Sequence, residues 1–107
     1  KAQIFLDTNQ VFVGFGVLLE CEWVLRSQYQ MQRLEVNAAL RAFIRLGPVH
    51  VADREGLNWA IERHAAGADF ADMLHLIDAG SSEGFATFDG SLQKNAGTET
   101  PLQVILI

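Results

Sequence analysis

The sequence predicts an α/β domain on a mainly parallel sheet, and three observations carry that reading. Short, almost wholly apolar runs occur at residues 3–6, Val11–Val13, 85–88 and 102–107. Longer stretches between them place apolar residues at helical spacing. Gly, Pro and Asp stand where one kind of stretch gives way to the other.

Taken in order, residues 3–6 (Gln-Ile-Phe-Leu) read as a strand stopped by Asp7-Thr8-Asn9. Val11–Val13 reads as a second strand, with Gly14 and Gly16 as breakers. Residues 17–28 turn helical. A second helix is expected over 33–46, with Val36, Ala39, Leu40, Phe43 and Ile44 on one face, until Gly47-Pro48 stops it. Val49–Val51 is a short extended piece. Asp53 is placed to cap a helix through His64, and Asp69 to cap another ending at Gly80. Residues 85–88 form a strand stopped by Asp89, and 102–107 a last strand of the kind buried on both faces.

One junction resists this scheme. Only Asp7, Thr8, Asn9 and Gln10 separate Leu6 from Val11, whereas parallel neighbours need a crossover of about a dozen residues. Either these strands form an antiparallel hairpin, or a helical segment is missing from the sequence near Asn9–Gln10. The second reading is preferred, and an intact mass of 11.8 kDa would overturn it.

A chain of 107 residues, half of them apolar, fits a single domain over 1–107 with one core. No apolar run is long enough to span a bilayer, and no secretory signal is visible. Cys21 stands alone, which leaves no pair for an internal disulfide and fits a reducing cytoplasm. It reads as a small packing residue. The net charge of −5 argues mildly against a dedicated nucleic-acid binder. That objection weakens if several acids hold divalent ions. Arg26, Arg33, Arg41, Arg45, Arg54, Arg63 and Lys94 stay available for phosphates.

The carboxylates carry the chemistry. Asp7 and Asp89 each follow an apolar strand directly, the edge where open α/β sheets bind ligands. Glu20 falls on a helical wheel between Trp23 and Val24, beside Val17 and Cys21, so it interrupts an apolar stripe. A buried carboxylate without a partner is costly, which makes Glu20 a candidate cation ligand. Glu22, four residues before Arg26, reads as an ordinary surface ion pair. Asp69 looks like a helix cap, and Asp72, in line with Leu76 and Ala79, faces core or sheet. His50, His64 and His75 lack metal-ligand spacing and default to surface or core-edge roles. Trp23 and Trp59 read as packing residues. An oxygen-rich set of acids selects Mg²⁺ or Mn²⁺ and suits phosphodiester hydrolysis. No Walker loop, nucleophile elbow or dinucleotide fingerprint is present.

Four blocks then resemble a known family. Residues 4–9 (Ile-Phe-Leu-Asp-Thr-Asn), 17–27 (Val-Leu-Leu-Glu-Cys-Glu-Trp-Val-Leu-Arg-Ser), 68–76 (Ala-Asp-Phe-Ala-Asp-Met-Leu-His-Leu) and 86–89 (Ala-Thr-Phe-Asp) stand in the order found in PIN domains, specifically the VapC-type toxins of toxin–antitoxin pairs. The resemblance implies a PIN-like three-layer α/β/α sandwich with a mainly parallel central sheet. It implies an acidic quartet of Asp7, Glu20, Asp72 and Asp89, with Asp69 the alternative third acid and Asn9 and Thr87 in support. It further implies a Mg²⁺- or Mn²⁺-dependent endoribonuclease leaving a 5′-phosphate and 3′-hydroxyl. The implied partners are an RNA substrate, a VapB-like antitoxin covering the site, and a second copy in a homodimer. The departure lies near Asn9–Gln10, where the family carries one or two helices that commonly help form the antitoxin groove. A PIN-fold binding module without catalysis, or a PIN-type nuclease acting on structured DNA, are the alternatives.

Overall fold

The computed structural model describes residues 10–79, 84–87, 94–97 and 103–106, with 84–87 and 103–106 described by their backbone. It is a mixed α/β structure, mostly helical, with strands paired in parallel. The chain divides into two compact units, residues 1–54 and 55–107.

In the first unit, strand β1 (Val11–Val13) leads through Gly14 into helix α1 (Phe15–Ser27). Gly16, expected to break the chain, instead lies in the first turn of α1. Backbone N–H groups there have no helical partner in any case, so a glycine interrupts little. Helix α2 (Arg33–Ile44) follows a short connection containing Gln30, whose φ is +52°. Its start is held by a capping box: the backbone N–H of Gln32 donates to Glu35 Oε1 at 3.0 Å, and the Gln32 side chain meets the Glu35 backbone in return. The helix ends at Ile44, two residues before the expected Leu46. Arg45 and Leu46 turn tighter, donating to Ala42 O and Phe43 O.

Strand β2 (Val49–Val51) returns parallel to β1, in the register Val11 with Val49, Phe12 with His50 and Val13 with Val51. The α1–α2 pair thus serves as the crossover that parallel strands require. Val13, Leu18, Val36, Leu40, Ile44 and Val49 are buried in this unit. Arg54 clamps the end of α2 to β2, its guanidinium donating to Ile44 O at 2.6 Å and to Val49 O at 3.4 Å.

The second unit holds the rest of helix α3 (Arg54–Ala65), helix α4 (Phe70–Asp78), and strands β3 (Gly84–Thr87) and β4 (Gln103–Leu106). Asp53, the residue before α3, has a φ of +47°, which Asp tolerates better than most residues. Gly67 ends the α3 segment with a φ of +112°, a conformation that favours glycine, while Ala68 N–H reaches back to Arg63 O. Leu57, Ala60, Ile61, Phe70, Met73, Leu74, Leu76 and Ile77 are buried. His64 is buried with them, edge-on to Phe70 with ring centroids 5.5 Å apart, rather than at the surface or core edge. A ring that is apolar over most of its area packs there as an aromatic would.

Strands β3 and β4 pair in parallel, from Gly84 with Gln103 to Thr87 with Leu106. Within their crossover, residues 94–96 are helical, and Arg63 Nε donates to Asn95 O at 2.6 Å. The strand expected at 3–6 and the junction at Asn9 lie outside the described residues. No helix among the described residues is long and apolar enough to cross a membrane.

Candidate functional site

Helix α4 presents its acids as its sequence implied. Asp69 is in the extended N-cap position and its Oδ1 accepts the backbone N–H of Asp72 at 3.1 Å. This satisfies one of the donors a helix start leaves unpaired. Asp72 is half-buried in the first turn, in line with fully buried Leu76. The helix N-terminus favours negative charge at both positions.

Helix α1 distributes its two glutamates the other way round from expectation. Glu22, expected at the surface, is 6% exposed, on the same side of the helix as buried Leu18. The ion pair with Arg26 does form: Arg26 Nε donates to Glu22 Oε2 at 2.8 Å. It is the partner that compensates a buried charge, with Arg26 reaching outward, its side chain 54% exposed. Glu20, expected in an apolar stripe that buries it, is exposed. The stripe itself is real, since Val17, Glu20, Cys21 and Val24 share one face. That face borders a groove and leaves the core to Leu18.

The groove has a volume of about 370 Å³ and runs between α1 and α2, lined on the α2 side by Ala39, Leu40 and Phe43. Its lining is almost wholly apolar apart from Glu20. Cys21 lies in the same wall, and burial, then the Glu20 charge, pushes its thiol above its ordinary pKa. Cys21 is therefore poorly suited to act as a thiolate nucleophile. Trp23, expected to pack, is 49% exposed.

Among the sequence-predicted site residues, Glu20 belongs to the first unit, and Asp69 and Asp72 to the second. Asp7, Asn9 and Asp89 lie outside the described residues. Thr87 is the last residue of β3, which places Asp89 two residues past the end of a parallel strand in the sequence. Among the described residues no three His, Cys, Asp or Glu side chains come together as a metal-binding group.

The cations sort themselves clearly. Arg26 is committed to Glu22, Arg54 to the carbonyls of Ile44 and Val49, and Arg63 to Asn95 O. Sequence spacing pointed to Glu22 as the partner of Arg26, but gave no means of finding the carbonyl partners of Arg54 and Arg63. No family model, no curated protein and no solved structure matches the chain.

Proposed function

We propose that this chain is a Mg²⁺- or Mn²⁺-dependent endoribonuclease with a PIN-like α/β/α sandwich, acting as the toxin of a VapBC-like pair. The observation that carries this reading is the order of four blocks, bearing Asp7, Glu20, Asp72 and Asp89 in turn, along an α/β chain. The parallel pairing of β3 with β4 supports it for Asp89, which follows β3 in the sequence, because ligands of parallel α/β sheets bind beyond the carboxyl ends of the strands.

In this reading Asp7, Glu20, Asp72 and Asp89 hold the ion. Asp69 is the alternative third acid; its Oδ1 accepts the Asp72 N–H at the start of α4, which favours Asp72 for the ion. A set made only of carboxylate oxygens fits a hard cation. When bound, the ion lowers the pKa of an attacking water and offsets charge on the scissile phosphate. The chain's own part is to hold the carboxylates at fixed positions, with Asn9 and Thr87 as supporting polar groups. A VapB-like antitoxin and a second copy are the proposed protein partners, and the apolar groove between α1 and α2 supports a role for protein contact.

The test is cleavage of a labelled structured-RNA pool in Mn²⁺, Mg²⁺ or EDTA. Discrete metal-dependent cuts, lost in Asp72→Asn and kept in Asp69→Asn, are expected. Cuts kept in Asp72→Asn but lost in Asp69→Asn would move the ligand to Asp69. Exposed Glu20 and the groove beside it favour a second reading, a binding module without catalysis. Absence of metal-dependent cutting by wild type would select that reading.

A further inference from the structure

Three acids lie on helices α1 and α2, and two of them are answered within the protein. Glu22 is paired with Arg26, and Glu35 closes the capping box at the start of α2. Glu20 is the third. It is exposed, has no hydrogen bond or ion pair among the described residues, and stands at the edge of the apolar groove between the two helices.

The α1 wall of that groove runs from Val17 to Leu25, eight residues or about 12 Å of helix. Cys21 on α1 and Ala39 on α2 are the smallest side chains of the lining, and their shortness leaves the space open. Val17, in the same wall, is 51% exposed, so the groove holds apolar surface in water.

Each feature excludes a class of ligand. An apolar wall offers a sugar or a polyamine no hydrogen-bond partners, and covering their polar groups there would be costly. The Glu20 charge repels fatty acids and phosphate esters. One carboxylate supplies too few oxygens for the groove itself to hold a divalent ion. What meets both features is an apolar body ending in a single cation. The volume of about 370 Å³ is more than twice that of an apolar cavity of about 150 Å³ that takes up a benzene ring. One ring with a short alkyl arm is of that size.

We propose that the groove between α1 and α2 binds small arylalkyl amines, the ring lying between the helices and the ammonium at Glu20. An aliphatic amine is protonated at neutral pH, as a lysine side chain is, and brings Glu20 the cation it lacks. The site does not rest on the nuclease reading. That reading gives the same carboxylate a metal ion, so amine and metal would compete for Glu20.

The experiment is isothermal titration calorimetry in EDTA with 4-phenylbutylamine, 4-phenylbutanol and 4-phenylbutyrate, which share one apolar body and differ in their heads. The amine is expected to bind about threefold more tightly than the alcohol and about tenfold more tightly than the carboxylate, the modest ratios an exposed ion pair supports. Glu20→Gln should bring the three within about twofold of one another. Ala39→Leu fills the groove and should weaken all three by about tenfold, and Leu suits a helix nearly as well as Ala. Methyl-resolved NMR should show the amine shifting Val17, Val24, Leu25 and Leu40. If Ala39→Leu unfolds, these shifts carry the test. No binding of the amine, equal binding of the three heads, or shifts confined to methyls away from the groove would overturn the proposal. Binding of spermidine as tight as that of the amine would reduce the site to charge alone and overturn it too. Metal-dependent cutting is read separately. Amine binding by a chain that cuts no RNA keeps this site and removes the nuclease reading. Cutting without amine binding does the reverse.

Discussion

Helix α1 carries Glu20 and Glu22, helix α4 starts with Asp69 and Asp72, and the two helices handle their pair of carboxylates differently. On α4, Asp69 caps and Asp72 occupies the first turn, as expected from residue type and position. On α1, Glu22 is buried against its own arginine and Glu20 stands on the rim of a groove. A cap is a local device, written in a few consecutive residues and satisfied by the helix's own backbone. Which side of an amphipathic helix reaches the core is settled by what packs against it. On α1 two sides are apolar, one through Leu18 and one through Val17, Cys21 and Val24.

The largest effect that would sharpen this contrast concerns α4. Asp72→Asn is expected to lower metal-dependent RNA cutting by on the order of 100-fold or more, since even residues that merely support a ligand cost about 10–100-fold. Asp69→Asn should keep most activity, because Asn caps a helix start about as well as Asp. Equal losses in both would break the division of roles between the two acids.

A smaller effect separates the glutamates of α1. Arg26→Ala leaves Glu22 buried without its cation and should cost roughly 2 kcal/mol in urea unfolding, below the range for wholly buried pairs because Arg26 is half exposed. Glu20→Gln should change stability by no more than about 0.5 kcal/mol, as expected of an exposed side chain. The opposite ranking would restore the stripe of Glu20 as the buried face.

Removing the cap outright tests α4 as a local structure. Asp69→Ala should cost about 1 kcal/mol, and Asp69→Asn close to none. The smallest effect is chemical. The Cys21 thiol is held above its ordinary pKa first by burial and then by Glu20, so the thiolate is scarce at neutral pH. Glu20→Gln removes the second cause, lowers that pKa, and should speed alkylation of Cys21 at pH 8. An unchanged rate would place the Glu20 carboxylate away from the thiol. The same sign predicts that the folded state loses stability relative to the unfolded chain as pH rises through the thiol range, since the unfolded chain releases its proton first.

Much of the element order was legible in residues alone. Val11–Val13, both helices of the first unit, the Asp69 cap and the β3 segment stand close to where their patterns place them, with ends displaced by one or two residues. Helix ends shift because tight closing turns, as at Arg45 and Leu46, depend on local hydrogen bonding that hydrophobic spacing does not encode. The site was less legible. An i to i+4 Glu–Arg pair has the same spacing whether it lies in solvent or covers a core, so Glu22 could not be told from a surface acid. His64 and Trp23 exchanged their expected surroundings for a related reason, since each ring is apolar enough to be buried and tolerant enough to be exposed.

What the sequence determined by itself was the set of local events: apolar runs that extend, periodic stretches that coil, the Asp69 cap, and an acidic balance. The tertiary structure decided which face of α1 met the core, which glutamate was buried, and which arginines were spent on carbonyls and carboxylates. The physical reason is range. Capping and periodicity act within one or two turns of the chain, whereas burial and ion pairing are set by neighbours that arrive from elsewhere in the fold.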